Sequence, residues 1–416
     1  MKKLIIFRSD IEDSLKLSID ISQAIKDNSW IQLVSKNVRE DTIKPELLPK
    51  GPGFIISSGG SSGNRYQCLQ PFSNLNKSAL NSGTWLKSQG IEPNQTVILN
   101  PLPMHHISGL MPWWRSRLWG AHYMKVEPSV IKEPTNLDEL PQQILNNQIN
   151  KFIISLVPTQ LHRLINNHVG LKWLKLFDLI WIGGGALSKE LADKARDNYI
   201  NLAPCYGSTE TASMVASMTP KEFLAGRNDC GSPFKGVKLN VDKNNQLQIK
   251  AKTLAIGKYS NGKIEKITEN SGWWQSGDMA QLSYKSNKII LGIKGRIDNA
   301  INSGGETIFP EVLENRLLQE ANIKKLAIKH IFFLPVQSNE WGNRMIALIS
   351  FHKKYTNSEI KVIFLCLKNI VRDWPPAEKP MDWYECPELE TNEEGKWEKG
   401  KWIKWVKSSS KQHFRY

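Results

Sequence analysis

The stretch that decides the fold is Tyr206-Gly-Ser-Thr-Glu210, together with the glycines of Ile182-Gly-Gly-Gly185 upstream of it. Both follow short apolar runs, and a helical pattern over residues 188–199 separates those runs. A third apolar run, Phe152–Val157, comes earlier and is also followed by a helical pattern. The order strand, helix, strand, helix, strand predicts a parallel sheet.

The predicted sheet would present its polar segments along one edge, because ligands of such sheets bind beyond the carboxyl ends of the strands. Two further apolar runs end in polar segments. Phe54–Ile56 leads into a serine- and glycine-rich stretch, and Val97–Leu99 leads into a stretch with His105 and His106. We therefore expect five strand ends to bring glycines, hydroxyls, a carboxylate and a histidine to one rim. Such a rim suits a phosphate-bearing ligand and a metal ion.

The composition is that of an ordinary globular protein. The chain has 416 residues, of which 40% are hydrophobic and 23% charged, enough for about two or three domains. No apolar run approaches the roughly 18 residues of a membrane span, and Met1–Phe7 does not have the pattern of a signal peptide. The five cysteines are scattered and form no CxxC pair. We expect a reduced, cytoplasmic chain without a disulfide framework or a zinc site.

The net charge of +15 allows two interpretations. A basic protein can attract nucleic acid or an anionic membrane. In the tail, Lys396–Lys411, lysines alternate with tryptophans, which would suit base stacking and phosphate contacts. Elsewhere the lysines are dispersed, which favours a solvated surface, and the same charge would favour an anionic cofactor.

The second half of the chain changes character. Lys238–Lys250 and Gln281–Ile293 alternate apolar and polar residues around turns, which predicts hairpins of a small β unit. Gly295–Glu306 is a polar connector, and Pro310 after it suits the first position of a helix. We predict an α/β fold with a large N-terminal domain (1–296) of parallel and mixed sheets, helices and the small β unit. A small α+β C-terminal lid domain (297–416) follows.

The serine- and glycine-rich stretch at 57–63 has two interpretations. Backbone N–H groups and hydroxyls in such a loop can surround phosphate oxygens. Clusters of glycine and serine are also common in plain surface turns. The stretch is not a Walker loop, because no Gly-Lys-Ser/Thr ends it, and Arg65 is the cation near it.

Several segments, in this order, resemble those of the adenylate-forming superfamily, which includes acyl-CoA synthetases, luciferases and adenylation domains of peptide synthetases. The segments are Gly59–Gly63, Tyr206–Glu210, Ser276–Asp278, Gly295–Asp298 and Gly304–Glu314. Within the superfamily, Leu102–Gly109, Ser155–Leu161 and Thr209–Ser213 resemble segments of o-succinylbenzoate–CoA ligases.

The resemblance implies a ligase that uses ATP, Mg²⁺ and coenzyme A. Its substrate would be a small carboxylic acid, o-succinylbenzoate, which is adenylated and then joined to coenzyme A in menaquinone or phylloquinone biosynthesis. Another aryl- or fatty-acyl-CoA ligase, or a stand-alone adenylation enzyme, is the alternative, and a catalytically inactive homologue is a third interpretation. The partners implied are small molecules, with no nucleic acid and no integral membrane segment.

The resemblance also implies roles for the matched residues. Those for ATP are Ser61, Ser62, Gly63, Gly183, Gly184, Gly185, Tyr206, Gly207, Asp278 and Arg296. Those implied for catalysis are Lys396, His106 and Thr209, with Glu210 for Mg²⁺ and Asp298 as the hinge. Those implied for the acid or coenzyme A are Thr159, Ser108, Ser303, Gly304 and Gly305.

The chain departs from the superfamily pattern in two places. The phosphate loop of the superfamily ends in Pro-Lys, where this chain has Asn64-Arg-Tyr66, with Arg65 as a candidate for the missing cation. The C-terminal motif keeps Leu389 and Gly395-Lys396, and a second pair, Gly400-Lys401, follows. Lys396 and Lys401 are therefore alternatives for the catalytic lysine.

Overall fold

The computed structural model of the chain describes residues 3–8, 14–35, 42–58, 66–139, 151–285, 287–303, 306–338, 340–391 and 397–409. The chain forms two compact units. The first comprises Met1–Leu187, Leu191–Ser276 and Gln281–Ile293, and the second comprises Ser188–Glu190, Gly277–Ala280 and Lys294–Tyr416. The domain boundary at 296/297 stays a prediction.

The helices are amphipathic segments that begin mostly at proline or at a polar residue. They are α1 (Ser14–Lys26), α2 (Phe72–Ser88), α3 (Ile107–Trp119), α4 (Pro128–Lys132), α5 (Pro158–Ile165), α6 (His168–Leu174), α7 (Lys189–Asp197), α8 (Pro220–Leu224), α9 (Pro310–Ile323), α10 (Asn357–Ile370) and α11 (Lys399–Ser409). In the described part of the chain no helix is both long and apolar enough to cross a membrane.

The strands of the first half are β1 (Leu4–Arg8), β2 (Trp30–Val34), β3 (Gly53–Ser57), β4 (Gln67–Pro71), β5 (Thr96–Asn100), β6 (His122–Lys125), β7 (Lys151–Leu156), β8 (Leu179–Ile182), β9 (Leu202–Ser208) and β10 (Ser213–Ser217). Those that follow are β11 (Ser232–Pro233), β12 (Lys238–Val241), β13 (Gln246–Lys250), β14 (Gly257–Ser260), β15 (Lys263–Glu265), β16 (Trp274–Lys285), β17 (Lys288–Arg296), β18 (Ile301–Ser303), β19 (Glu306–Ile308), β20 (Ile328–Ser338), β21 (Gly342–Phe351) and β22 (Asp382–Glu385).

The predicted parallel sheet is present in the first unit. Its strand order is β11-β10-β9-β8-β7-β5-β6, and the strands from β9 to β6 are parallel. The carboxyl ends of β5, β7, β8 and β9 therefore share one edge, as the sequence predicted. β9 is longer than expected and includes Tyr206, because the antiparallel β10 pairs with it through Ala216 and Ser217.

One of the five strand ends was assigned to the wrong sheet. Phe54–Ile56 lies in β3, which belongs to a separate sheet with the order β1-β2-β3-β4-β14-β15. β4 folds back on β3, so that Ile56 pairs with Cys68 and Ser57 with Gln67. The serine- and glycine-rich stretch is thus the connection of a β-hairpin and does not follow a strand of the parallel sheet.

Helices α2 and α3 lie between these two sheets. The rings of Phe54 (β3), Phe72 (α2) and Trp114 (α3) lie 5.2–5.6 Å apart, as aromatic side chains do in a packed core. The opposite face of the parallel sheet is covered by α5, α6 and α7, whose buried residues include Leu161 and Leu174. The small β unit has the strand order β12-β13-β16-β17 and contains the predicted hairpins.

The second unit is built on the sheet β19-β18-β21-β20, to which β22 adds beside β21. Successive residues of β20 point to opposite faces. Phe333 joins the core formed with α9 and α10, whereas Phe332 joins a second core that contains Trp402 of α11. Trp402 has no exposed surface, and Trp397 is stacked on Phe332 at 4.9 Å. Trp402 is therefore a core residue, and Trp397 and Trp405 pack against the same core as partly buried residues, so packing accounts for the tail tryptophans without base stacking.

Candidate active site

The glycine run 183–185 lies at the edge of the parallel sheet, directly after β8. Gly184 has a φ of +76°, a conformation that residues with a side chain rarely adopt. A Cβ on Gly184 would lie 3.3 Å from Val157, and one on Gly185 would lie 3.7 Å from Pro158. The glycine run therefore lies against the start of α5, where Thr159 is half-buried in the first turn.

Tyr206 and Gly207 lie in β9 and lead into the tight connection to β10. A Cβ on Gly207 would lie 2.2 Å from the carbonyl oxygen of Ser213, so that glycine is required there. Thr211 fixes the connection, because its hydroxyl accepts from the N–H of Ser208 (2.8 Å) and donates to Ser213 O (2.6 Å). Thr209 is half-buried at the start of this connection. The motif is thus a rigid hairpin.

Glu210 is held by the neighbouring sheet. Its side chain is only 6% exposed, and its backbone oxygen accepts from Gln70 Nε2 (3.1 Å) and from the N–H of Ala255 (2.7 Å). The hydroxyl of Tyr66 donates to Glu210 Oε1. The β3–β4 hairpin is therefore brought to the rim after all, by contact with the β9–β10 connection.

Glu210 fits the role of a Mg²⁺ ligand. A carboxylate is a hard oxygen ligand, and Mg²⁺ is often bound by one or two carboxylates together with phosphate oxygens and water. Among the described residues there is no group of three or more histidine, cysteine, aspartate or glutamate side chains that could hold a metal. Glu210 can supply a carboxylate oxygen for such a site, in which phosphate oxygens and water would complete the coordination.

The base of the predicted phosphate loop is closed. The carbonyl oxygen of Tyr66 accepts from both the N–H (2.8 Å) and the hydroxyl (3.0 Å) of Ser58. Ser61, Ser62 and Gly63 lie outside the described residues, so their predicted contacts with phosphate stay predictions.

His106 and Ser108 lie after β5, on the same edge. His106 precedes the first residue of α3, and its ring lies 4.3 Å from that of His105. The segment before α3 is pinned by Asn100, which accepts from Leu102 N (3.1 Å) and donates to Gly109 O (2.8 Å). Both His106 and Ser108 are half-buried, which leaves them accessible to a ligand at the rim.

The second unit holds the other predicted residues. Asp278 and Arg296, predicted to bind the ribose, are brought together, with Arg296 Nη1 3.5 Å from Asp278 Oδ1. Asp298 lies in a short 3₁₀ turn, and the side chain of Ser303 is buried. Gly304, Gly305 and Lys396 lie outside the described residues.

A hydrogen-bonded chain links that 3₁₀ turn to the C-terminal helix. Lys399 Nζ at the start of α11 donates to Asn299 Oδ1 (2.6 Å), and Asn299 Nδ2 donates to Glu311 Oε1 of α9. Burial raises the pKa of Glu311, and the bond from Asn299 partly opposes that change. The start of α11 is thus fastened to Asn299, the residue that follows Asp298.

Sequence reasoning missed Arg115. Its side chain is only 2% exposed, and its guanidinium donates to the hydroxyls of Ser82 (3.1 Å) and Ser213 (3.2 Å) and lies over the ring of Trp181 at 5.3 Å. Burial lowers its pKa to about 10, a value at which it remains charged at pH 7. No carboxylate among the described residues forms an ion pair with it.

Arg115 lies close to the rim in the fold, because Trp181, whose ring it covers, precedes Gly183 by two residues. A signal was present in the sequence. Arg115 follows Trp113 and Trp114 in a helix that is apolar on several sides. A charged residue within such a run is rarely buried unless something pairs with it.

Comparison with known proteins gives the same assignment as the motifs. The model of the AMP-binding enzyme family matches residues 4–253. The chain is 26% identical to the 2-succinylbenzoate–CoA ligase of Oceanobacillus iheyensis over 84% of its own length and 70% of the relative's. It is 33% identical to that of Escherichia coli over 62% of its own length and 51% of the relative's.

Solved structures share the fold. E. coli MenE with a bound analogue of OSB-AMS has a TM-score of 0.68 at 22% identity, over 98% of this chain and 89% of that one. O-succinylbenzoate coenzyme A synthetase (MenE) from Bacillus subtilis in complex with AMP also has a TM-score of 0.68, at 18% identity, over 95% and 77%. With the predicted α/β fold confirmed and more than half of its residues matched by the family model, the chain belongs to the AMP-binding enzymes.

Proposed function

We propose that the protein is an ATP-dependent o-succinylbenzoate–CoA ligase. The single observation that carries the choice of acid is Arg115, a buried guanidinium without an acidic partner among the described residues. o-Succinylbenzoate has two carboxylates, of which one is activated and the other is retained. A retained carboxylate would supply the missing anion, because guanidinium and carboxylate match in geometry and in charge. The names of the relatives support the same acid.

The reaction has two halves. One carboxylate of the acid attacks the α-phosphorus of ATP, the bond to the β-phosphate oxygen breaks, and pyrophosphate leaves. The thiol of coenzyme A, losing its proton, then attacks the acyl carbon and releases AMP. The protein accelerates both halves mainly by holding the reactants in line and by stabilising the charge that develops.

The residues predicted to bind ATP and Mg²⁺ have distinct tasks in this proposal. Tyr206 stacks on the adenine beside Gly183–Gly185, and Thr209 donates to the α-phosphate. Asp278 and Arg296 hold the ribose hydroxyls, which fits their pairing at 3.5 Å. Mg²⁺ bound at Glu210 would neutralise phosphate charge. The five cysteines are thiols in the structure, which supports the cytoplasmic location that belongs to this proposal.

We further propose that the domain boundary lies at 296/297 and that Asp298 is a hinge. Lys396 would act in adenylation and then give way to the Ser303–Glu306 segment when coenzyme A enters. The close match of Gly295–Glu314 to the superfamily segment supports this division.

The proposal is tested by assaying the purified full-length chain with ATP, Mg²⁺ and coenzyme A. Pyrophosphate release and thioester formation are measured with o-succinylbenzoate, benzoate, phenylpropanoate and a medium-chain fatty acid. We expect o-succinylbenzoate to give the highest kcat/KM. If a monocarboxylic acid is turned over and o-succinylbenzoate is not, the protein is another acyl-CoA ligase. Pyrophosphate release without thioester formation would indicate a stand-alone adenylation enzyme.

The lysine assignment is tested by separating the two half-reactions. Lys396→Ala should slow adenylation about 10²–10³-fold, because a charge contact of the transition state is lost. Thioester formation from pre-made acyl-adenylate should be nearly unchanged. Lys401→Ala is the matched control, since Lys401 lies exposed in α11 with its Nζ 3.9 Å from Glu390. If Lys401→Ala blocks adenylation and Lys396→Ala does not, the second Gly-Lys pair is the motif.

A further inference from the structure

Tyr66 stands where the superfamily's phosphate loop has its lysine, and its side chain reaches the rim at Glu210. Its backbone is fixed at the base of the loop by two hydrogen bonds from Ser58. Its hydroxyl donates to Oε1 of Glu210, the carboxylate assigned to Mg²⁺. A residue that breaks the sequence motif is therefore in direct contact with the site.

The surroundings of Glu210 leave its carboxylate dependent on this contact. Its backbone is fixed from two sides, by Gln70 and by Ala255. Tyr66 is the hydrogen-bond donor that the structure describes for its side chain. A hydrogen bond to Oε1 fixes the rotation of the carboxylate and leaves the lone pairs of Oε2 for a second ligand.

The cation near Tyr66 and Glu210 is not the lysine of the superfamily's phosphate loop. Lys258 Nζ lies 5.9 Å from the centre of the Tyr66 ring, and it pairs with Glu265 Oε2 at 3.4 Å. The thiol of Cys68 beside the pair is buried, and burial raises its pKa well above the usual range. Tyr66 therefore offers Glu210 a hydroxyl donor where the superfamily's loop has a lysine.

We propose that Tyr66 is a positioning residue for the metal ligand: it orients the Glu210 carboxylate towards the Mg²⁺ of Mg²⁺-ATP by hydrogen bonding, in the place where a lysine stands in the family's loop. The inference rests on the proposed function. It acts through Glu210, so its effect appears in the binding of the metal–nucleotide complex. The chemistry of the acid is untouched.

The test is isothermal titration calorimetry of the full-length chain with ATP, in the presence and in the absence of Mg²⁺. Loss of a hydrogen bond to a charged group costs about 1.5–3 kcal/mol, or roughly 10–150-fold in a dissociation constant. Tyr66→Phe should weaken Mg²⁺-ATP binding by at least about 10-fold and metal-free ATP binding by less than about 2-fold. In steady state, KM for Mg²⁺-ATP should rise more than kcat falls.

Further variants distinguish positioning from a general structural role. In a Glu210→Gln background the additional effect of Tyr66→Phe should vanish, since the two residues act through one contact. Tyr66→Lys, which restores a donor of the family's type, should keep Mg²⁺-ATP binding within about 5-fold of the native chain. Tyr284→Phe is the matched control, because Tyr284 is exposed on β16. The Tyr284→Phe variant should bind Mg²⁺-ATP as the native chain does.

The outcomes separate this inference from the proposed function. Native-like Mg²⁺-ATP binding by Tyr66→Phe overturns the inference, and so does an equal loss with and without Mg²⁺. Those results leave the ligase proposal intact. If the native chain binds no Mg²⁺-ATP, both fall together. If the native chain binds Mg²⁺-ATP but does not activate o-succinylbenzoate, the ligase proposal fails and the Tyr66 inference is still decided by the calorimetry.

Discussion

Arg115 in the first unit and Glu314 in the second both have ionisable side chains that are buried, and they differ in how the charge is resolved. The guanidinium of Arg115 has two serine hydroxyls and the face of Trp181 around it, and its pKa, lowered by burial, is still about 10. The carboxyl of Glu314 accepts from the N–H of Phe333 at 2.7 Å. Burial, with the nearby Glu311, raises the pKa of Glu314 to about 8.

The difference follows from the chemistry of the two groups. A buried carboxyl can bind a proton and remain in a core as a neutral group. A guanidinium cannot lose its proton near pH 7, so its charge persists wherever it is placed. Glu314 can therefore remain in the core as a neutral group, whereas the persistent charge of Arg115 is surrounded by two serine hydroxyls and an aromatic face. Under the proposed function, the retained carboxylate of the acid would balance that charge.

The largest effect is expected for Arg115→Gln. Removing one partner of a buried charge pair costs about 3–5 kcal/mol, which corresponds to roughly 10²–10³-fold or more. We expect kcat/KM for o-succinylbenzoate to fall by that factor, with Arg115→Lys in between. Turnover of a monocarboxylic acid should change by less than about 3-fold, because it has no second carboxylate to lose. Steady-state assays with the two acids measure both values.

Arg117→Gln is the matched control for that experiment. Arg117 lies two residues further along α3, is exposed, and covers the ring of Trp113 at 5.0 Å. It should leave the activity on both acids unchanged. If Arg115→Gln reduces the activity on both kinds of acid equally, Arg115 supports the structure of the site, and the contrast with Glu314 disappears.

A smaller effect, on stability alone, is expected for Glu314→Gln. The amide keeps an oxygen that accepts from Phe333 and has no charge to bury. The folded-state pKa of about 8 lies above the ordinary value of 4.5 for a glutamate carboxyl. Below the unfolded pKa both states are protonated, so ionisation imposes no penalty. As the pH rises from 4.5 to about 8, the free energy of unfolding of the native chain falls by up to about 2–4 kcal/mol, because the unfolded chain ionises Glu314 first. The variant has no such carboxyl and keeps its stability.

Urea unfolding of the full-length chain between pH 5 and pH 9 would measure this difference. It should increase with pH and level off above about pH 8. Glu340→Gln, at an exposed carboxylate, should show no such trend. A difference between Glu314→Gln and the native chain that shrinks as the pH rises would mean that Glu314 is ionised in the fold.

Some features followed from the sequence because they are local. The strands of the parallel sheet could be predicted from short apolar runs that end at glycine or proline, as at Ile182 and Val157. The pairing of distant strands could not. β3 belongs to another sheet because β4 folds back on it, and Tyr206 lies in a strand because β10 pairs with β9. The local sequence of a strand does not indicate which distant strand pairs with it.

The contacts of single residues could not be predicted from the sequence either. Arg115 takes its contacts from α2, β8 and β10, three elements that are remote in the chain. The alternation of lysine and tryptophan in the tail suggested base stacking, and its lysines at 401, 404 and 407 are exposed. Trp402, however, is a core residue, because α11 packs it on a face of β20 that no local pattern reveals.

The chain of bonds from Lys399 through Asn299 to Glu311 has a kinetic consequence. It couples the start of α11 to the turn that holds Asp298, and both lie in the second unit. Under the proposed hinge motion, movement of α11 and rotation about Asp298 would then be one event with one barrier. In an enzyme with that hinge, the thioester-forming arrangement could not be reached while the adenylation lysine stays behind, so the lid itself would enforce the order of the two half-reactions.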